Sequence, residues 1–538
     1  MNKMMKKGAV LLGVTLALSG LTACKDPVAD DQNTLYIYMA EAGFGGDWLP
    51  AVAEAFEKEY PDYNVELETE KGVDRVEDML RSGPENTTHD LLFGREKLFA
   101  LQAQGEKAYA GYDCVLENLT DMYESEVPGE GVTLAEKTNQ YTLKHFAIEE
   151  EVDGVWKDQY YMYSWSNSLM GLVYNKTVFE EHSLSVPRTT EEMYEVCDTL
   201  KKDIMPFISS HNVSYWDPVC DTWWAQYDSV EEHDRYWNPT SLSDYETMSQ
   251  KGKLYAAQIA NQIYNPKYGR EHGDSISASY TEAQAKFIIR EAAIIPCGDW
   301  FENEMKDIIA QQQAQGVTDE FEMMKTPLNS AIVEKLSFWT GGDYSTIFQA
   351  AHAVSSPDAT KLQTLRDADD KLQQIVDYVD GVTTTKPAFA SDDDIQIVAA
   401  ARNVAFTYGS GHQAVIPAYA TAKEAAKKFL LFLATDRAQK IFAENTSGTT
   451  MCYGYDPADD GVEMSNFARS ALDIVKDAVI AKHYSISKGY WAAGLYDYRL
   501  SFSRMASEHD YLSPEYIYED GIMSYDEYAT ALRTGGII

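Results

Sequence analysis

The chain has 538 residues and a formal net charge of −40, with 45% hydrophobic and 12% aromatic residues. This composition is typical of a folded protein rather than a disordered acidic chain, and the length favours two or more domains or lobes. Because so acidic a surface repels phosphate backbones and anionic lipid headgroups, we expect no nucleic-acid partner and no adsorption to membranes through basic patches.

The first 24 residues have the pattern of an export signal. Three lysines precede an apolar run at 8–21, which is too short to cross a bilayer because a spanning helix needs roughly 20 residues. The run ends in Leu-Thr-Ala-Cys, with Cys24 last, and this resembles a bacterial lipobox, in which the peptidase cleaves before the cysteine and its sulfur carries diacylglycerol. We predict a signal peptide at 1–23, a lipid anchor on Cys24 and a tether over 24–33. An ordinary secretory signal with a chance cysteine is the alternative.

Strand and helix patterns alternate along the next segments. Residues 35–39 are β-branched and aromatic, which predicts a strand, and a glycine-rich loop follows it. Apolar residues at helical spacing predict a helix over 47–60. A strand at 64–69, a helix at 75–80 and a strand at 89–93 follow. This order favours a parallel sheet with helices on its faces.

Later helix starts are indicated by capping boxes, in which a hydroxyl and a side chain three residues on satisfy helix N–H groups reciprocally. The three boxes are Thr189 with Glu192, Thr281 with Gln284, and Thr421 with Glu424. Residues 240–280 and 345–400 are more polar and are predicted to be helical insertions and loops.

The six cysteines show no CxxC pair and no zinc-ligand spacing. With Cys24 lipidated, an odd number remains. We therefore predict free, mostly buried thiols, with one disulfide as the alternative.

Three segments carry motifs that occur in the same order along the chain. They are 153–202, with Gly171-Leu172-Val173-Tyr174-Asn175-Lys176, Phe179, Pro187, Thr189 and Glu192; 282–300, with Glu291-Ala292-Ala293 and Gly298-Asp299-Trp300; and 416–448, with Ile416-Pro417, Ala425-Ala426-Lys427-Lys428-Phe429 and Thr446-Ser447-Gly448. Together these segments resemble the family 1 extracellular solute-binding proteins of ABC importers. Two features depart from the family pattern: Arg290 stands where glycine is usual, and the chain is longer than is typical.

The resemblance implies an α/β fold of two lobes, the type II periplasmic-binding-protein-like fold, with a hinge and an interlobe cleft that closes around the ligand. Lobe one is expected to contain 34–155 and 412–452. Lobe two is expected to contain 156–411, with the insertions, and 453–538. The resemblance also implies a monomer that needs no cofactor and has no catalytic residues.

Aromatic side chains are the first site candidates, because flat rings cover the apolar faces of sugars while carboxylates and amides bind the hydroxyl rim. Trp300 follows a strand predicted at 292–295 and matches the family's sugar-stacking tryptophan, with a core position as the alternative. The other aromatic candidates, which have the same alternative, are Tyr163, Trp165, Trp216 and Trp223, with Asp217 beside them.

Charged candidates flank the predicted strand ends. Glu41 and Asp47 border the glycine loop after the first strand, and a plain helix N-cap is the alternative for Asp47. Arg95 and Glu96 correspond to the family's ligand loop, with a surface ion pair as the alternative. The last candidates, in a late aromatic segment, are Trp491 and Arg499.

The expected function is a membrane-anchored, extracytoplasmic binding protein that captures an oligosaccharide or other carbohydrate and delivers it to the transmembrane subunits of an ABC permease. One alternative is a surface glycosidase or lyase, which needs two carboxylates across an aromatic cleft. Another is a non-catalytic adhesive lipoprotein. The sequence shows no HExxH, GxSxG or Cys/His nucleophile pattern, so we expect no enzyme. Its aspartate runs at 367–370 and 392–394 lack EF-hand spacing, so we expect no metal.

Overall fold

The computed structural model describes residues 32–84, 87–94, 115–211, 215–237, 251–353, 355–407 and 412–481. The signal, the lipobox with Cys24, and part of the tether therefore lie outside the described residues. The strands are β1 (Thr34–Glu41), β2 (Asn64–Lys71), β3 (Leu91–Gly94), β4 (Ile148–Val152), β5 (Val155–Gln159), β6 (Tyr163–Ser166), β7 (Leu169–Asn175), β8 (Met205–Phe207), β9 (Ala292–Gly298), β10 (Phe321–Met324), β11 (Val404–Thr407), β12 (His412–Val415) and β13 (Val479–Ala481).

Helices cover the two large sheets and make up much of the described part of the predicted insertions. They are α1 (Trp48–Glu59), α2 (Val76–Ser82), α3 (Thr120–Tyr123), α4 (Leu134–Lys137), α5 (Gln140–Phe146), α6 (Lys176–Glu181), α7 (Thr190–Leu200), α8 (Trp216–Asp228), α9 (Val230–Trp237), α10 (Lys251–Tyr264), α11 (Tyr280–Ile288), α12 (Phe301–Glu304), α13 (Lys306–Ala314), α14 (Tyr344–Ala351), α15 (Ala359–Val379), α16 (Asp392–Arg402), α17 (Lys423–Leu433), α18 (Asp436–Thr446) and α19 (Asn466–Lys476). Within the described ranges, none of them is long and apolar enough to cross a membrane.

Sheet one has the order β2-β1-β3-β12-β6. Strand β1 pairs in parallel with β2 and β3, so the parallel sheet predicted from the alternating pattern is confirmed. Its side chains Ile37 and Met39 are fully buried in the same apolar core as Val52 and Phe56 of α1. The helical spacing seen in the sequence therefore marks the face of α1 that packs on this sheet.

Sheet two has the order β13-β11-β7-β9-β8, and β10 also pairs with β7. Strand β7 is buried along its whole length and runs antiparallel to β9, β10 and β11. The predicted strand at 292–295 is the start of β9, which continues to Gly298.

In the described ranges the chain passes between the two large sheets three times: from β6 to β7, from Thr407 of β11 to His412 of β12, and again between β12 and β13. The first crossing follows Ser166, which differs from the expected boundary at 155/156 because β6 pairs with β12 in sheet one. We call the hinge the residues at these crossings and beside them: 164–169, 407, 412–413 and 449–450.

Local capping differs from the sequence patterns where a tertiary partner competes. Thr189 accepts a hydrogen bond from the Glu192 N–H as predicted, but the Glu192 carboxylate binds Arg188 instead of closing the box. Helix α11 is capped by a box two residues earlier, between Ser279 and Glu282. The Thr421 hydroxyl donates to Asp90, which is distant in sequence, and the start of α17 has no side-chain cap.

Four cysteines in the described ranges, Cys197, Cys220, Cys297 and Cys452, are free and buried. The prediction of buried free thiols is thus confirmed for these four. Cys114 lies outside the described residues.

Candidate functional site

A cleft of about 620 Å³ lies between loops of the two sheets. One wall is formed by the β1–α1 loop at 41–47 and by residues 71–72, which end β2. The other wall comes from the starts of α8 and α11 and from 300–307, which follow β9. Strand ends converge at such positions in α/β proteins, which makes the cleft the natural ligand site. Its lining side chains are Glu41, Asp47, Lys71, Tyr215, Tyr280, Thr281, Trp300, Asn303, Glu304, Lys306, Asp307 and His412.

Trp300 lies between Gly43, in the loop after β1, and Gly298, the last residue of β9. A Cβ at Gly43 would lie 2.3 Å from Cγ of the indole, and one at Gly298 would lie 2.2 Å from its Cζ3. Because no real Cβ approaches so closely, the indole occupies this place only while both positions are glycine. The Gly-Asp-Trp sequence at the end of β9 and the glycine loop after β1 thus form the same contact with the indole. Trp300 is only 8% exposed.

Three aromatic rings form a row on the wall that contains Trp300. Tyr215 stands in the middle, with its ring centroid 6.3 Å from that of Trp300 and 6.3 Å from that of Tyr280. The Tyr280 side chain is 38% exposed. Such a row offers apolar faces to a flat, ring-shaped solute.

Carboxylates and lysines supply the polar part of the cleft. Asp47 is the N-cap residue of α1, but its side chain makes no hydrogen bond to the start of that helix. Its carboxylate lies 3.1 Å from Lys306 Nζ instead. Burial raises the pKa of Glu304, which accepts a hydrogen bond of 2.9 Å from the Gln284 amide. The Glu41 side chain folds over the backbone of Gly46.

Contacts across the cleft join the two walls. The Asn303 amide donates to the Gly43 carbonyl at 2.7 Å, and Lys306 pairs with Asp47. Together with the packing of Trp300 on Gly43, these contacts hold the β1–α1 loop against α12 and α13. The structure is therefore a closed arrangement of the cleft.

His412 connects the cleft to the hinge. It is the first residue of β12 and lies in register with Ser166 of β6. Its ring centroid is 4.9 Å from that of Trp165 and 6.3 Å from that of Trp300.

Other predicted site residues lie away from the cleft lining. Trp165 is 1% exposed and packs against Trp48 and Phe93 in the core beside sheet one. Tyr163 is also 1% exposed, and its hydroxyl is hydrogen-bonded to the hydroxyl of Tyr453. Both rings of β6 are therefore buried in the core, which is the alternative given for them from the sequence.

The candidates in α8 are buried in the core beside sheet two. Trp216 stacks on Trp223, and the Trp223 N–H donates to the Pro327 carbonyl at 3.0 Å. Asp217 is 5% exposed. A hydrophobic core lines this helix on all sides, so its tryptophans face neighbouring helices rather than the cleft. The remaining candidates, Arg95, Glu96, Trp491 and Arg499, lie outside the described residues.

Sequence reasoning missed several residues that line the cleft, namely Tyr215, Tyr280, Asn303, Lys306 and His412. One signal was available: Asn303 and Lys306 follow Trp300 at steps of three residues. Helical turns beginning at Phe301 place such positions on one face. Tyr215 and Tyr280 precede helices far apart in sequence, and only the fold brings them together.

Among the described residues, one group reaches metal-ligand spacing: His272, Asp274 and Glu291. Lys286 Nζ lies 3.0 Å from the Asp274 carboxylate and 2.8 Å from that of Glu291. An ammonium group thus already neutralises these carboxylates, which argues for a surface ion-pair cluster.

Comparison with solved structures identifies two-lobe binding proteins. The sugar-binding protein MalE from Xanthomonas citri is 13% identical, with a TM-score of 0.54 over 94% of this chain and 97% of that chain. The substrate-binding protein Lmo0181 from Listeria monocytogenes, solved with cycloalternan, is 14% identical, with a TM-score of 0.51 over 94% and 97%. The GacH receptor of Streptomyces glaucescens, solved unliganded and with acarbose, is 13% identical, with a TM-score of 0.51 over 93% and 96%.

At these identities the likeness establishes the fold, and the predicted two-lobe α/β architecture is confirmed. A search of curated protein sequences gave no match. The family description "bacterial extracellular solute-binding protein" matches residues 45–440, which is most of the chain. The chain therefore belongs to the bacterial extracellular solute-binding protein family.

Proposed function

We propose that this protein captures a carbohydrate in the cleft between its lobes and delivers it to an ABC permease. The observation that carries the proposal is the row of Tyr280, Tyr215 and Trp300 facing a wall that contains Glu41 and Asp47. Rings cover the C–H faces of pyranoses, and carboxylates accept hydrogen bonds from their hydroxyls. Relatives of the same fold were solved with cycloalternan and with acarbose, which supports a sugar as the ligand class.

Anchoring completes the proposal. The lipobox-like sequence ending at Cys24 supports attachment to the outer face of the cell membrane, and the polar tether then leaves the lobes free to meet a permease. Labelling of the full chain with a palmitate analogue, compared with Cys24→Ser, tests the anchor. Label retained in the Cys24→Ser variant would contradict it.

A thermal-shift screen against a glycan library tests ligand class, because a ligand that binds only the folded state raises Tm. We expect one oligosaccharide class to raise Tm by several degrees. The shift should be lost in Trp300→Ala and reduced in Tyr280→Ala, which removes a partly exposed ring with little packing. Trp156→Ala is the matched control, since Trp156 is 65% exposed on β5 away from the cleft.

Turnover distinguishes binding from catalysis. Chromatography of each binding glycan after long incubation with the protein should recover it unchanged. Cleavage products that disappear in Glu41→Gln or Glu304→Gln would replace the proposal with a glycan-active enzyme. If no glycan raises the Tm of the protein, the result would instead favour the adhesive lipoprotein.

A further inference from the structure

The charged side chains that line the cleft are unevenly divided between the two signs. Four of them are carboxylates and two are lysines, with Glu41, Asp47, Glu304 and Asp307 against Lys71 and Lys306. Burial raises the pKa of Glu304, but carboxylates still outnumber lysines when that group is protonated. The lining therefore carries net negative charge, and the low-dielectric walls of a cleft concentrate the field of such groups in the space between them.

Three of these carboxylates are stabilised by other groups of the protein. Asp47 pairs with Lys306 at 3.1 Å, and Glu304 accepts a hydrogen bond from Gln284 at 2.9 Å. Asp307 lies in the first turn of α13, where the helix N–H groups stabilise a negative charge. The fold and the contacts between the walls thus explain these three positions, which leaves Glu41.

Glu41 differs from the other three. It ends β1 and is partly buried, and its register partner on the neighbouring strand is Lys71. Within the described ranges, neither of these two side chains has an oppositely charged group within ion-pair distance. By contrast Glu70, which precedes Lys71 on β2, pairs with Arg75 at 2.6 Å. A partly buried carboxylate that no cation neutralises is incompletely solvated in the ligand-free protein, and a cation in the cleft would compensate for this.

The wall opposite Glu41 favours a cation as well. It contains the row of Tyr280, Tyr215 and Trp300, and an aromatic face attracts a cation within about 6 Å of its centroid. The same rings can cover the C–H face of a sugar. A carboxylate on one wall and aromatic faces on the other therefore fit a sugar ring that carries an ammonium group. A uronic acid or a sugar phosphate would instead meet unpaired negative charge.

We propose that the solute is an amino-sugar oligosaccharide with at least one free ammonium group, and that Glu41 binds this group. The proposal rests on the proposed function, in which the solute is a carbohydrate, and names the class of carbohydrate. An ammonium group has three donors and no acceptor, and a carboxylate has acceptors only, so the two groups are complementary. A hydrogen bond between two charged groups is also about twice as strong as one between neutral groups.

Matched glycans test the class of solute. Cellotriose, tri-N-acetylchitotriose and the free glucosamine trimer share one β-1,4-linked backbone and differ at C2, which bears a hydroxyl, an acetamide or an ammonium group. A second pair, trigalactosamine and trigalacturonate, contrasts a cationic with an anionic chain. All five join the thermal-shift screen at about pH 6, where a free amine with a pKa of about 8 is protonated.

We expect the free amines to raise Tm more than any neutral or anionic glycan of the screen. If a neutral or an anionic glycan gives the largest shift, the present proposal is overturned while the proposed function stands. If no glycan gives a shift, the proposed function itself is overturned, which is a separate outcome.

Two cleft variants test the role of Glu41. Glu41→Gln keeps the shape of the side chain and removes its charge, so titration calorimetry with the amine of largest shift should show binding weakened about tenfold. Lys71→Met removes a cation from the same wall and should strengthen that binding roughly threefold. Glu66→Gln is the matched control, because it changes the net charge equally at an exposed position of β2 that does not line the cleft.

The signs of these effects decide the outcome. Wild-type affinity in both Glu41→Gln and Lys71→Met would overturn the proposal. An equal loss in Glu41→Gln and Glu66→Gln would do the same, because the charge of the whole protein would then act rather than a contact. Stronger binding in Glu41→Gln with weaker binding in Lys71→Met would identify an anionic solute and would also overturn it. The ligand-free Tm shows whether each variant is folded, and Lys71→Met provides the test if Glu41→Gln does not fold.

Discussion

Two buried aspartates show the difference between the end of β9, beside the hinge, and the interior of lobe two. Burial raises the pKa of both Asp299 and Asp369 to about 7. Asp369, on α15, accepts hydrogen bonds from Thr189, Ser330 and Gln373 through both of its oxygens. Asp299, after β9, accepts a backbone bond of 3.3 Å at Oδ2, while its Oδ1 has no partner.

The two aspartates differ in how much of the structure their hydrogen bonds connect. A satisfied buried carboxyl cross-links α15 to the start of α7 and to the 3₁₀ turn at 330–335, and this fixes the helical layer around sheet two. Asp299 cross-links less of the structure, because its one backbone bond of 3.3 Å goes to the nearby start of β7. Hydrogen bonding therefore distinguishes the two carboxyl groups, whereas burial does not, since both aspartates are under 10% exposed.

A large loss of stability is expected when Asp369, the aspartate with three hydrogen-bond donors, is removed. Asp369→Ala leaves the Thr189 hydroxyl and the Gln373 amide without their buried acceptor, so we expect the free energy of unfolding to fall by about 3 kcal/mol. Asp299→Ala should cost less, because fewer groups lose a partner. Urea denaturation of both variants measures the difference. Equal losses would remove the distinction between the two regions.

Stability should also depend on pH through these two groups. A carboxyl with a folded-state pKa near 7 still holds its proton between pH 4 and 7, where the unfolded chain has released it. The unfolding free energy therefore falls as pH rises through this window, by at most about 4 kcal/mol for each group. Asp369→Asn and Asp299→Asn should each flatten the stability curve between pH 4 and 7, as followed by denaturant unfolding. A curve as steep as that of the wild type would contradict the assignment.

A smaller effect is expected for lobe closure. Gly43→Ala places a Cβ where the Trp300 indole lies, so the β1–α1 loop cannot pack against it. We expect the ligand-free variant to have a larger radius of gyration in X-ray scattering, with each lobe still folded. Gly273→Ala is the control, because no atom lies within 4 Å of its Cβ position. Identical scattering profiles for all three proteins would show that the loop does not hold the lobes together.

Much of the fold was predictable from the sequence, because hydrophobic periodicity and family motifs report local structure. The order from β1 to β3 and the position of β9 follow directly from such patterns. The interlobe crossing after β6 was not predictable, since strand pairing with β12 depends on residues about 250 positions away. Capping boxes failed at Thr421 for the same reason: Asp90, a distant partner, competes for the hydroxyl.

The site was predictable only in part. Trp300 was proposed from a family motif, and Glu41 and Asp47 were proposed because they border the glycine loop after the first strand. All three line the cleft. The sequence did not distinguish Tyr163 and Trp223 from the cleft residues, because an aromatic side chain can equally pack in the core or contact a ligand. The row from Trp300 to Tyr280 needed the tertiary structure, which alone brings three sequence segments together.

The smallest expected effect concerns the ion pair across the cleft. Lys306 and Asp47 are 57% and 78% exposed at their side chains, and exposed pairs contribute between 0 and about 1 kcal/mol. Lys306→Met should therefore leave Tm almost unchanged while increasing the open population of the ligand-free protein slightly, as read by fluorescence transfer between dyes on the two lobes. Lys58→Met is the matched control, because its partner Glu54 lies on the same helix. The hydrogen bond from Asn303 to Gly43 remains in Lys306→Met, so the open population should increase less in this variant than in Gly43→Ala. A larger open population in Lys306→Met than in Gly43→Ala would show that charge rather than packing closes the cleft.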